Sequence, residues 1–198
     1  MEFQSFTTSS LWQRKTEFEY TAQMCALEQM AVPEGAAEEY LSVRREIERR
    51  EELYEANCTS VQLGAAIDWC LQVIAERRIS ELVPLLADGQ EQSELPSDLR
   101  LNPRHPFFKE IVLKMDPLAP DSGEIKMAVF LPGRAIPLDW LESELPDLYA
   151  GGTDPDAGAL HFEVLRLVND RSGRIEFVCE QVEEDRRPLI GKFVVWCW

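Results

Sequence analysis

Histidine is scarce in this chain, basic residues are outnumbered, and no long hydrophobic run occurs. There are 2 histidines in 198 residues, and 20 Lys+Arg stand against 36 Asp+Glu, giving a formal net charge of -16 and a pI near 4.5. A generic nucleic-acid binder is excluded on that balance, because its electrostatic footprint is basic. Docking on anionic membranes through a polybasic patch is disfavoured for the same reason. The longest strongly apolar run, Phe193 to Trp198, is six residues, where a spanning helix needs about 20. The first residues, Met1-Glu2-Phe3-Gln4, lack the positive and apolar regions of a signal peptide, and Trp198 leaves no prenylation motif. Five scattered cysteines, Cys25, Cys58, Cys70, Cys179 and Cys197, do not read as a disulfide framework. Reduced, buried thiols in the cytoplasm are the expectation.

Signatures of catalysis are missing too. No C-x-x-C or H-x-x-x-H spacing is present, and His105 and His161 lie 56 residues apart. Cys179 and Cys197 could fall on neighbouring strands, but small buried hydrophobes are the simpler reading. No G-x-S-x-G elbow, phosphate-cradling glycine loop or calcium loop occurs; Asp154-Pro155-Asp156 lacks the required spacing. His161 alternates with Phe162 on a strand and should face away from that apolar side. No cofactor is expected.

What is present is ample apolar content, 45% of residues, with a mean hydropathy of -0.25, enough for a sizeable core. Few glycines and helical spacing mark residues 1–90; most prolines and period-two patterns lie beyond. A first helix is predicted over about Leu11–Ala31, with Tyr20, Met24, Leu27 and Ala31 in one row. A second runs to about Asn57, with a narrow stripe of Tyr40, Val43, Ile47 and Tyr54 between charged faces. Thr59 with Gln62 suits a capping box at the start of the third, whose broad face of Leu63, Ala66, Ile67, Cys70, Leu71 and Ile74 marks it as the most buried. A short segment, Ile79–Ala87, follows.

Gln90–Pro106, with Pro96, Pro103 and Pro106, reads as a connector. Ile111–Met115 and Glu124–Leu131 form a hairpin, the latter with Ile125, Met127, Val129 and Leu131 on one face. Pro137–Leu148 fits a short helix, and Ala150–Gly158 a Gly/Asp loop. Leu160–Val168 and Arg174–Glu183 are strands joined by an Asn169–Gly173 turn. In the last strand, Leu189–Trp198, one face holds Leu189, Phe193, Val195 and Cys197; the other holds Ile190, Val194, Trp196 and Trp198.

The predicted fold is α+β: an N-terminal antiparallel layer of about three helices packed on a C-terminal antiparallel sheet of four to five strands, with one short helix inserted. Residues 1–198 are expected to form one domain, with a helical part over about 1–90, a connector over 90–106 and a sheet part over 107–198.

Three functions fit. The favoured one is a non-enzymatic, acidic interaction module: an adaptor, a regulatory or inhibitory subunit, or a dedicated chaperone, with a basic protein as the natural partner. Trp196 and Trp198 need cover from the chain's own core or from a partner; with Val194 and the charged-helix residues Arg45 and Arg49 they are the expected partner-binding set. A divalent-metal-assisted hydrolase or nuclease is the alternative, using Asp116, Asp121, Glu124 and Lys126, where Glu124-x-Lys126 matches a fragment of a nuclease motif. A small-ligand domain is the third.

Overall fold

The structure, a computed structural model, describes residues 3, 6–92, 98–116, 118, 122–154, 159–180 and 188–198. Two long helices come first: α1 (Thr8–Leu27) and α2 (Ala36–Asn57). Thr7 caps α1 by accepting from Ser10 N at 3.2 Å, satisfying one of the free first-turn donors. Gly35, at φ +80°, begins α2, and Glu38 and Glu39 sit in its first turn, where carboxylates complement the helix dipole. Next come α3 (Ser60–Cys70), α4 (Gln72–Ala75) and α5 (Ile79–Leu86). Thr59 is the N-cap of α3, but its side chain makes no capping bond, so the expected box does not form.

Beyond α5 the chain is mostly sheet. The strands are β1 (Ala87–Gln92), β2 (Asp98–Pro103), β3 (Phe108–Met115), β4 (Ile125–Pro132), β5 (Ile136–Pro137), β6 (Tyr149–Asp154), β7 (Ala159–Val168), β8 (Arg171–Glu180) and β9 (Leu189–Cys197), with α6 (Leu138–Glu144) inserted after β5. The order is β1-β2-β3-β4-β9-β8-β7-β6, with β5 pairing the start of β9. Every pairing is antiparallel. The fold is therefore α+β, but the sheet has nine strands among the described residues rather than four or five. The extra strands come from segments read as connector and loop. Residues 87–92, 98–103 and 149–154 (ADGQEQ, DLRLNP, YAGGTD) lie at or next to the sheet edges. Backbone pairing holds the edge strands β1 and β6 without an apolar alternation to announce them, and in β2 the alternation is only two residues long, Leu99 and Leu101. Of the two misread segments, 93–97 and 155–158 lie outside the described residues, as do 181–183 of the predicted Arg174–Glu183 strand.

One face of the sheet is the core. In register across β2, β3, β4, β9, β8 and β7 run Leu101, Ile111, Phe130, Phe193, Phe177 and Phe162. Phe193 is fully buried in ring contact with Phe107, Phe108 and Phe177. Helices α3 and α4 bring Leu63, Ala66, Ile67, Cys70, Val73 and Ile74 to this core. Gly173 of β8 is required there: a Cβ would land 2.5 Å from Ile74 Cδ1 and 2.8 Å from the Trp196 carbonyl. Asn169 and Asp170, at φ 50° and 61°, make a two-residue β7–β8 turn, whose twist suits a hairpin; Arg171–Gly173 already belong to β8.

Two predicted faces change. In β9 the register slips between Val178/Cys179 and Lys192/Ile190. This one-residue bulge at Gly191 turns Ile190 into the core and leaves Leu189 exposed, the reverse of simple alternation. In β4, Ala128 and Phe130 face the core with Ile125 across another irregularity, while Met127, Val129 and Leu131 are half-buried on the opposite face. The strand is apolar on both sides, and alternation picked the outer one.

The expected three-helix layer is also corrected. Helices α1 and α2 pack antiparallel on each other around a separate small cluster, Phe3, Leu11, Val43 and Ile47, with Phe6 and Phe18 against it. Among the described residues they join the body at one end. There Ser9 hydrogen-bonds the buried Glu110 carboxylate of β3, and Arg50 reaches Asn102 of β2 at 3.5 Å. Arg50, 4% exposed in its side chain, also donates to the carbonyls of Phe3 (3.0 Å) and Phe6 (2.9 Å), to Thr8 Oγ1 (3.2 Å) and to Glu46 (2.8 Å). It occupies a stripe position between Ile47 and Tyr54 that a hydrophobic count passes over.

Glu46 lies under both Arg49 and Arg50. The bonds from Arg49 contribute most to holding its carboxyl at about 2 against an ordinary 4.5; burial opposes them, and Arg50 adds to them. A depressed folded pKa means a stabilising contribution that is present above the unfolded value and lost as pH falls through about 2. Glu46→Gln is therefore expected to be less stable than the parent at pH 7, with the gap closing by pH 2. Urea titrations at both pH values check this; a gap independent of pH contradicts the ion-pair account.

Candidate functional site

The free end of the α1–α2 arm is built to leave apolar surface uncovered. Tyr20, Leu27 and Met30 are 63%, 78% and 57% exposed, and Val32 and Leu41 lie open beside them. Between the helices runs a groove of about 600 Å³ lined by Phe18, Ala22, Val32, Ala36, Ala37 and Tyr40, with Glu19 and Gln23 on its rim. The alanines make the groove: with only methyl groups there, the helices leave a trough instead of interdigitating. From Thr16 to Val43 the chain carries six glutamates, Glu17, Glu19, Glu28, Glu34, Glu38 and Glu39, and no lysine or arginine. Two of these pair with bases nearer the body, Arg14 with Glu39 and Lys15 with Glu19, each at 2.9 Å. Glu17, Glu28, Glu34 and Glu38 make no ion pair among the described residues. The arm thus presents an apolar trough on an acidic segment: Glu19 lines the trough, and Glu34, Glu38 and Glu39 line a neighbouring cleft that shares Phe18 and Ala36 with it. The base-free stretch of glutamates around exposed apolar residues was the signal available in the sequence, and helical periodicity alone does not report it.

The expected partner-binding residues divide between surfaces. Val194, Trp196 and Trp198 lie on the outer face of β9, away from the phenylalanine row. Val194 is buried; Trp196 is half-buried and donates Nε1–H to Glu176 at 2.8 Å. The Arg174 guanidinium sits 5.4 Å from both tryptophan rings, so a cation covers them in place of a helix. Trp198 remains 56% exposed. Arg45 is exposed on α2, and Arg49 pairs with Glu46 at 2.7 Å at the mouth of a different cleft.

No protein-family model, curated protein or solved structure matches this chain.

Of the metal-site residues, the structure brings three together. Lys126 Nζ lies 3.8 Å from Asp116 and 3.7 Å from Glu124, half-exposed on the β3–β4 hairpin; Asp121 lies outside the described residues. Among the described residues no group of three or more His, Cys, Asp or Glu could hold a metal. His161 faces outward as expected, its Nδ1 on Glu176, and its Nε2 is buried with no hydrogen-bond partner among the described residues. Among the described residues the dyad thus has no hydroxyl or thiol to activate. The His105 ring lies 5.2 Å from that of Trp69, tilted against it, and burial lowers its pKa.

All five cysteines are unpaired and buried. Cys179 stands opposite Ile190 and Cys197 opposite Gly173, about 20 Å apart along the strands at 3.3 Å per residue, so they form no joint site. Burial pushes both thiols up to about 11, away from the reactive thiolate. Among the described residues, no single helix is long and apolar enough to cross a membrane.

Proposed function

We propose that the chain is a non-enzymatic interaction protein whose helical arm takes a basic, amphipathic segment of another protein. The observation that carries this is the trough of Phe18, Ala22, Val32, Ala36, Ala37 and Tyr40 with Glu19 at its edge, set in a stretch, residues 16–43, that holds six glutamates and no lysine or arginine. A third helix laid between α1 and α2 would complete a bundle, burying Leu27, Met30 and Val32 against its apolar face. Lysines or arginines flanking that face would meet Glu17, Glu28, Glu34 and Glu38. Charge complementarity of this kind steers encounter and selects partners. The role is that of an adaptor, a regulatory or inhibitory subunit, or a chaperone for a basic protein. Five unpaired thiols support a reducing, cytoplasmic setting.

The test is fluorescence anisotropy with a labelled 18-residue amphipathic Leu/Lys helix and its Leu/Glu counterpart. The expected result is micromolar binding of the basic helix, weakening with salt, and none of the acidic one. Ala22→Trp and Ala37→Trp fill the trough without altering net charge, and each should cut affinity at least tenfold. Equal affinity in both variants would reduce the contact to bulk charge and overturn the proposal, as would failure to bind the basic helix. A dimer in solution that the same variants dissociate would assign the trough to a second copy of this chain instead.

A further inference from the structure

A second cleft, of about 560 Å³, opens where the arm meets the body. It is lined by Arg49, Arg50, Leu53 and Tyr54 of α2 and by Asp88, Asn102, Pro103, Arg104, Pro106 and Phe108 from the sheet side. Three guanidinium groups converge here in a chain whose net charge is -16, against one lining carboxylate. Counting Glu46, which pairs with Arg49 and Arg50, the cleft still carries a positive excess.

The donors are not exhausted. Arg50 is committed to Phe3, Phe6, Thr8, Asn102 and Glu46 and forms a fixed, buried charge. Arg49 spends Nε and one terminal nitrogen on Glu46. Arg104 spends Nε on Asp88 at 2.8 Å and one terminal nitrogen on the Pro84 carbonyl at 2.5 Å. A guanidinium has five N–H donors, so Arg49 and Arg104 each keep three. Their side chains are half-exposed, one on α2 and one just beyond β2, while their ion pairs hold them in place. Two pre-oriented forks on opposite walls above a buried third match a small dianion, since guanidinium forks bind phosphate and carboxylate bidentately. Tyr54, Leu53 and Phe108 offer an apolar floor.

We propose that this cleft binds a small, doubly charged oxyanion, a phosphate compound or a dicarboxylate, clamped between Arg49 on the arm and Arg104 on the body. The site is separate from the trough and does not depend on it. Binding ties α2 to the β1–β2 hairpin and so stabilises the junction of arm and sheet.

Calorimetry and thermal unfolding of the full chain with inorganic pyrophosphate and with succinate, at constant ionic strength set by sodium chloride, test this. One-to-one saturable binding is expected, with Tm raised about 5 °C or more at 100-fold excess over Kd. Stronger binding of pyrophosphate assigns the phosphate source, and of succinate the dicarboxylate. Arg49→Gln/Arg104→Gln should weaken binding at least tenfold and Arg45→Gln should leave it unchanged. A second readout needs no variant: the Nε–H NMR signals of Arg49 and Arg104 should shift with either anion while that of Arg45 stays fixed. Absent saturation with both anions, unchanged binding in the double variant, or equal shifts at Arg45 would overturn the proposal.

Discussion

Phe193→Ala is expected to cost about 4 kcal/mol, the middle of the 3–5 kcal/mol range for losing a buried Phe side chain. Phe193 has no exposed surface, and its ring meets Phe177 edge-on at 5.0 Å, Phe108 at 5.6 Å and Phe107 at 6.1 Å. Its strand is held on both sides, against Phe130 of β4 and Phe177 of β8. Backbone pairing on two sides prevents the walls from collapsing into the space left, so the cavity cost adds to the lost transfer energy. For a chain of this size the change corresponds to a fall in Tm of roughly 8–16 °C. Phe162, half-buried at the β7 end of the same row, supplies the comparison: Phe162→Ala should cost well under half as much. Urea unfolding followed by circular dichroism measures both, and equal costs would show that the row is not centred on β9.

Arg50→Ala is expected to cost about 3 kcal/mol, the lower end of the effect of breaking a buried ion pair. Here the loss is local. Arg50 ties the carbonyls of Phe3 and Phe6 and the first turn of α1 to α2, and without it those acceptors are buried unmet. Hydrogen exchange should therefore speed up around Phe6–Leu11 and across α1, while the β8–β9 amides keep their protection. Arg50→Lys should not rescue, because one ammonium cannot supply the planar fork that reaches five partners. Uniform loss of protection through the sheet would refute the view of the arm as a separately anchored unit.

The same contrast between body and arm explains what was readable beforehand. The α3 face and the β7–β8 hairpin were legible because each buries one side and so carries a period in its residues, and β4 and the last strand were legible as apolar runs between turn residues. Placing Phe162 inward and His161 outward needed nothing beyond that alternation. Strands β1 and β6 were not legible, because edge pairing needs only backbone groups, and β2 was not because Leu99 and Leu101 alone are too short an alternation between prolines. In β4 both faces are apolar, so the pattern could not choose between Phe130 and Val129. Gly191 shifted the phase within β9, which no count of alternation detects.

The candidate site was less legible still. The charge balance, the missing catalytic spacings and the glutamates of residues 16–43 are properties of the sequence alone. That an open trough lies within this acidic segment depends on α1 and α2 packing on each other and meeting the sheet at one end. That Arg49 and Arg104 share a cleft depends on β2 folding back beside α2, a contact between residues 55 positions apart. The sequence by itself determined composition, charge, the period of each buried face and therefore most of the elements. Strand order, the insertion of β9 between β4 and β8, the detachment of the arm and the gathering of its arginines were decided only by tertiary structure, because each depends on which distant surfaces meet.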